Sequence, residues 1–267
     1  MTASGAKTPV VALVGCGRLG SALVEGWIAS SAVRAADLII LTPSPKPAAE
    51  AARDAGARIN PAPADLRRAE VVVLAVKPAA WEAALQPLAP HLAPGARVVS
   101  VMAGVRAARI AAAAGRPTAR AMPTTAVAQA RGVAALWSED AGALEAARAL
   151  FGPVAATVVL EAEEQMDAAT AVAGSGPAFV YAFVHALARA GVAAGLSTDA
   201  ADALARGALR SAGAGVETGA TLDDLIGRIA SPGGTTRAGL DALRDGGDLE
   251  RAADAAIGAA VRRARSL

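Results

Sequence analysis

Residues 10–20 read VVALVGCGRLG: five apolar residues in an unbroken run, then glycines at 15, 17 and 20. An all-apolar run of that length predicts a strand covered on both faces, as in a parallel sheet. A helical pattern follows, with Leu19, Leu23, Trp27 and Ile28 on one side. A Gly-x-Gly-x-x-Gly turn between strand and helix is the fingerprint of dinucleotide binding. Gly15 permits the tight turn, Gly17 lets a pyrophosphate approach the backbone, and Gly20 allows close helix packing. Cys16, Arg18 and Leu19 supply the rest of the loop, where a bound anion meets free N–H groups and the positive end of the helix dipole. A glycine-rich turn without ligand is the alternative; the flanking strand and helix favour the nucleotide.

Outward from this stretch, Leu38–Leu41 and Val71–Val76 predict two more buried strands, and Val98–Val101 and Ala119–Met122 two further ones. Ala-rich helical stretches separate them. Strands alternating with helices imply a doubly wound sheet. Pro43, Pro45, Pro47, Pro61 and Pro63 fall in connections, as their missing donors require. Beyond Leu160 no strand is predicted, only Ala-rich helices broken at Gly174–Pro177, Gly195–Ser197 and Ser231–Gly234. The expected plan is an α/β Rossmann domain with a mostly parallel sheet over residues 1–160 and an all-α domain over 161–267. Residues 1–160 carry 16 basic and 10 acidic side chains, and 161–267 carry 10 and 14. A phosphate-rich ligand suits the first part better.

Cofactor choice is read at the end of the second strand. An NAD enzyme usually carries an acid there for the ribose 2′-hydroxyl. This chain has Thr42-Pro43-Ser44-Pro45-Lys46, and its nearest acid, Asp37, precedes the strand. Hydroxyls from Thr42 and Ser44 with the Lys46 cation suit a 2′-phosphate, so NADPH is expected, with NADH as the alternative. Ala75-Val76-Lys77-Pro78 ends the third strand at the carboxyl edge, where open α/β sheets bind ligands. Pro78 disfavours helical geometry at Lys77 and turns the chain there. Ala103 and Gly104 end the next strand, small enough for a nicotinamide to lie flat on the backbone. The segment Ser231-Pro232-Gly233-Gly234-Thr235-Thr236-Arg237 precedes a helical stretch. Its free N–H groups and hydroxyls suit a small carboxylate; Ser and Thr also commonly cap helices.

Composition excludes several classes. One cysteine, Cys16, rules out a disulfide scaffold and a cysteine zinc site, and His91 and His185 are too isolated for a metal cluster. No metal is expected. A net charge of +2 without a cationic stripe, and only three Phe, three Trp and one Tyr, argue against nucleic acid. Residues 168–188 lack Asp, Glu, Lys and Arg, long enough to raise a membrane span. Gly174-Ser175-Gly176-Pro177 breaks the run and leaves Ala178–Ala188 as a clean helix, better suited to a buried core or interface. His185 within it is expected to be buried and hydrogen-bonded, the alternative being a titrating contact to the substrate or the dimer seam. Residues 1–9 lack the basic and apolar regions of a signal peptide. A cytosolic protein without a membrane partner is expected. Helices apolar nearly all round, in a small domain, are expected to bury themselves against a second copy of the chain.

Taken together, GCGRLG (15–20), TPSPK (42–46), AVKP (75–78), MAG (102–104), MPTT (122–125), DAATAVAGSGPAFVYAF (167–183) and SPGGTTRAGL (231–240) resemble the pyrroline-5-carboxylate reductase family across nearly the whole chain. The last two blocks are the specific ones. The resemblance implies a helical C-terminal domain that interlocks with a partner subunit, with dimers assembling into larger rings, commonly decamers. It implies hydride transfer from NAD(P)H to the C=N carbon of 1-pyrroline-5-carboxylate, giving L-proline. Ser231 and the Gly233–Thr236 amides would hold the substrate carboxylate, and Thr236 would place its hydroxyl near the ring nitrogen as the catalytic group. The chain departs from the family pattern at Thr124, where an asparagine is usual, at Ala173, usually serine, and at His185 and Arg206, usually acidic and glutamine. These departures bear on which cyclic imine acid is reduced. The rivals are a β-hydroxyacid dehydrogenase, which needs a lysine that residues 161–267 lack, and a non-catalytic dinucleotide-binding paralogue.

Overall fold

The first strand forms as β1 (Val11–Val14), with all four residues buried, in a computed structural model that describes residues 8–266. It is joined by β2 (Leu38–Leu41), β3 (Arg58–Ile59), β4 (Val71–Leu74), β5 (Arg97–Ser100), β6 (Thr118–Pro123), β7 (Gly132–Trp137) and β8 (Ala155–Val159). The eight strands make one sheet in the order β3-β2-β1-β4-β5-β6-β7-β8. Strands β1 to β6 pair in parallel, β7 runs antiparallel to β6, and β8 is parallel to β7. The expected sheet is thus present, with β3, β7 and β8 added. Those three carry little sequence signal: β3 has two residues, β7 opens on a glycine and has two small alanines at its middle, and most of β8 lies exposed at the edge.

Helices α1 (Arg18–Ala29), α2 (Pro47–Asp54), α3 (Trp81–Leu85), α4 (Ala107–Ala114) and α5 (Ala141–Phe151) connect the strands. Side chains alternate across a strand, and the core divides accordingly. Val11 and Leu13 share one buried cluster with Leu23 and Trp27 of α1 and Phe151 of α5. Ala12 and Val14 share the other with Leu66, Trp81, Leu85 and Ile110. Burial stabilises each large side chain by about 1.5–3 kcal/mol. Trp27 also donates its indole N–H to the Leu150 carbonyl at 2.9 Å, which satisfies the one polar group of this buried side chain.

Beyond Val159 every regular element among the described residues is helical: α6 (Met166–Ala169), α7 (Gly176–Ala193), α8 (Thr198–Val216), α9 (Leu222–Ile229), α10 (Thr235–Arg244) and α11 (Asp248–Arg265). Packing groups the chain up to Gly174, with the residues from Val261 onward, into one compact unit and Ser175–Ala260 into another. The expected break at 174–177 does not occur. A π turn over Thr170–Ser175 carries α6 into α7, and Pro177 sits in the first turn of α7, where its missing N–H costs nothing. The helical run Glu163–Ala193 is therefore long and apolar enough, by length and composition, to cross a membrane. No residue of α7 is buried within the single chain, and His185 is exposed there, so the helix is not part of this chain's own core. The N-terminal reading falls mostly on residues 1–7, outside the described residues.

Candidate functional site

The strand order reverses at β1, which pairs with β2 on one side and β4 on the other. Loops leaving the carboxyl ends of strands there flank a crevice. Three hydrogen bonds fix their starts: Gly15 N–H to the Leu41 carbonyl at 2.8 Å, Ala75 N–H to the Val14 carbonyl at 2.8 Å, and Val101 N–H to the Leu74 carbonyl at 3.0 Å. The glycine turn, the Thr42–Lys46 turn, the Ala75–Pro78 segment and the Met102–Gly104 loop thus leave one edge of the sheet.

The three glycines of the turn differ in what surrounds them. Gly15 has φ +97°, and a Cβ there would lie 2.7 Å from the Ala75 carbonyl oxygen. At Gly20 a Cβ would lie 2.3 Å from the Gly15 carbonyl oxygen, so this glycine lets α1 close onto the turn. At Gly17 a Cβ would meet nothing within 4 Å. Gly17 is the N-cap of α1 and no side chain caps that end, which leaves the first-turn amides of Arg18, Leu19 and Gly20 without an intrahelical acceptor. Cys16 is buried with its Sγ 3.6 Å from Ser21 Oγ, and burial pushes its thiol pKa up. It fills space rather than presenting a thiolate.

The turn after β2 encloses a cavity of about 160 Å³. Thr42, Ser44 and Lys46 line it, as do Glu50 and Arg53 of α2 and Asn60. Sequence reading missed the last three. Asn60 braces the turn from β3: its Oδ1 accepts the Thr42 N–H at 2.9 Å and its Nδ2 donates to the Thr42 carbonyl at 2.8 Å. The Thr42 hydroxyl donates to the Ser44 carbonyl at 3.0 Å. Asp37, at the far end of β2, already accepts from Thr8 and Arg34, both at 2.6 Å. Lys77 is exposed in extended backbone ahead of Pro78, as expected. Ala103 is half-buried, Gly104 exposed and Met102 buried beneath them.

In the second compact unit, the Gly234 N–H closes a turn onto the Ser231 carbonyl at 3.1 Å, with Gly233 at φ +70°. Gly234 is the N-cap of α10 and no side chain caps it. Neither Ser231 nor Thr235 takes the capping role, so the amides of Thr235, Thr236 and Arg237 remain open. The Gly234 amide is used within the turn. Thr236 is half-buried and lines a groove of about 510 Å³ with Phe183 and Leu187 of α7 and Leu240 and Leu243 of α10. Its hydroxyl is the one polar side chain among these lining residues.

Two departures from the family pattern acquire a setting. Thr124 is buried, and its hydroxyl accepts the Val133 N–H at 3.3 Å. That oxygen is thus engaged beside the β6–β7 ladder, and the hydroxyl offers fewer hydrogen-bonding groups than an asparagine amide would. Arg206 is exposed on α8 and pairs with Asp202 at 2.7 Å. No cluster of three or more metal-ligating side chains occurs among the described residues.

Residues 163–267 match the model for pyrroline-5-carboxylate reductase dimerisation, and residues 10–104 that for NADP oxidoreductase, coenzyme F420-dependent. A Pseudomonas aeruginosa pyrroline-5-carboxylate reductase is 33% identical over 268 residues, covering 98% of this chain and 97% of the relative. A Coxiella burnetii pyrroline-5-carboxylate reductase superposes with a TM-score of 0.87 at 26% identity, over 97% of this chain and 98% of the other. A Plasmodium falciparum pyrroline carboxylate reductase with NADP bound shares the fold, with a TM-score of 0.81 at 24% identity over 98% and 99% of the two chains.

Proposed function

The chain belongs to the pyrroline-5-carboxylate reductase family, and from that premise we propose that it reduces the C=N bond of 1-pyrroline-5-carboxylate with NAD(P)H, giving NAD(P)⁺ and L-proline. The observation that carries the reading is the pair of uncapped helix starts, at Gly17 and Gly234, each preceded by a glycine turn. The first fits a dinucleotide: space opens where a Cβ of Gly17 would stand, while Gly15 and Gly20 are closed against backbone. NAD(P)H supplies the hydride when bound.

This chain's residues then bind, orient and protonate. The Gly15–Gly20 turn with Cys16, Arg18 and Leu19 holds the pyrophosphate, and Ala75–Pro78 and Ala103–Gly104 line the nicotinamide end. Thr42, Ser44 and Lys46 receive the adenosine ribose, and the missing acid at the end of β2 favours NADPH. Ser231, Gly233 and the open amides of Thr235 and Thr236 hold the imine carboxylate. An iminium carbon is already electrophilic, so orientation supplies much of the rate. Thr236 keeps its hydroxyl at the ring nitrogen as donor or proton relay, in an otherwise apolar groove. Residues 1–160 serve as the dinucleotide domain and 161–267 as the substrate-binding and dimerisation domain. The exposed apolar side chains of α7 support a homodimer; assembly of such dimers into a decamer or similar ring is what the family resemblance implies, and the cytosol is the location proposed for it.

A steady-state assay of the purified chain with 1-pyrroline-5-carboxylate and each reduced cofactor, beside a panel of other cyclic imine acids, tests the reading. Thr236→Ala should lower kcat about tenfold or more, the lower range for loss of a proton-transfer group, with an unchanged melting temperature. Native kinetics in that variant would remove Thr236 from the mechanism. NADPH binding without turnover of any imine would instead support a non-catalytic paralogue.

A further inference from the structure

The loop between β5 and α4, residues 102–106, is tied down at both ends by one buried ion pair. Arg120 on β6 and Glu163 meet at 3.1 Å, with side chains only 4% and 9% exposed. At the start of the loop, the Met102 N–H donates to Ser100 Oγ at 3.3 Å, and the Met102 carbonyl faces Arg120 Nη2 at 3.5 Å. At its end, Glu163 Oε1 accepts the N–H of Ala107, first residue of α4, at 2.7 Å, and Oε2 lies 3.4 Å from Arg106 Nη1. Met102 and Val105 are buried, whereas Ala103 and Gly104 rise between them.

Folding alone gives little reason for such a pair. Desolvating two charges costs several kcal/mol each, and apolar residues of similar volume often serve stability as well or better. Arg120 Nε is moreover buried without a hydrogen-bond partner. What the pair supplies is geometry: a rigid fork and a carboxylate that fix the two ends of one short loop relative to β6. We infer that Arg120 and Glu163 are positioning residues that set the height of Ala103 and Gly104 under the nicotinamide. They touch neither cofactor nor substrate. The inference rests on the cofactor placement given under the proposed function.

The test uses the full chain, with native turnover of 1-pyrroline-5-carboxylate and NADPH as the control; failure of that control overturns the cofactor and substrate reading, on which this role depends. The charge-neutral double variant Arg120→Met with Glu163→Gln, and the single variant Arg120→Lys, are compared with it by melting temperature, kcat, KM for the imine and the primary isotope effect with 4-deuterated NADPH. The expected result is a folded double variant with an imine KM close to native, kcat lowered about tenfold or more, and a larger isotope effect, because a misplaced loop slows hydride transfer. A folded double variant with native kcat and isotope effect overturns the inference. Should the double variant not fold, Arg120→Lys decides: a tenfold loss of kcat in a folded protein supports the role, and native kcat overturns it. Failure of both to fold makes the pair a folding requirement only and also overturns it.

Discussion

At the level of single residues, the glycines of the first turn separate folding from binding. A Cβ at Gly20 would press on the Gly15 carbonyl oxygen, and overpacking of this kind costs about 1–3 kcal/mol or more. Gly20→Ala should therefore lower the melting temperature by about 5 °C or more, at roughly 2–4 °C per kcal/mol for a chain of this size. Gly17→Ala meets no neighbour, and only a slightly poorer N-cap should move its melting temperature, by about 3 °C at most. Its NADPH dissociation constant should rise about tenfold, since the added methyl occupies the space proposed for the pyrophosphate. Fluorescence titration and thermal melts on the two variants check the pair. Equal effects of both substitutions on melting and binding would undo the division of labour. The glycine spacing was legible because backbone clearance admits one residue type. The roles of Asn60 and Arg120 were not, because each depends on a partner 18 residues away in sequence.

At the level of elements, the turn from β2 into α2 decides between cofactors. Lys46 and Arg53 line the cavity, and Glu50 opposes them. Removing a cation that faces a 2′-phosphate weakens NADPH and leaves NADH alone. Lys46→Ala should raise KM for NADPH about tenfold with KM for NADH within a factor of two, and Glu50→Gln should shift the ratio the other way. The gap should narrow as potassium chloride rises from about 0.05 to 0.5 M, because exposed charges are screened. Parallel loss of both cofactors in Lys46→Ala would place Lys46 elsewhere than at the 2′-phosphate. Buried parallel strands announce themselves as apolar runs, which is why β1, β2, β4 and β5 were legible to within two residues. Strands β3, β7 and β8 are specified by neighbours rather than by pattern. Helix α7 was underestimated because Gly and Pro read as breakers, while the fold uses one as π-turn material and the other as a first-turn residue.

At the level of the whole molecule, composition already pointed beyond a single chain. The apolar residues of α7 and its neighbours had to be covered by something, yet Val180, Tyr181, Phe183 and Leu187 stand 46%, 64%, 47% and 45% exposed. Contiguous apolar exposure on this scale marks an interface. The run from Glu163 to Ala193 also meets the length and hydropathy demands of a bilayer, so two coverings compete: a second copy or lipid. The family match over residues 163–267 favours the copy. Val180→Asp with Tyr181→Asp places two charges on a surface that self-association would desolvate. The native chain should sediment as a dimer or larger at micromolar concentration without detergent and should not float with lipid vesicles. The double variant should shift to monomer and melt at a lower, less concentration-dependent temperature, since association with the folded state alone adds stability by mass action. A native chain that stays monomeric across that range, or that floats with vesicles, would assign the apolar face to a different covering and remove the homodimer from the proposal.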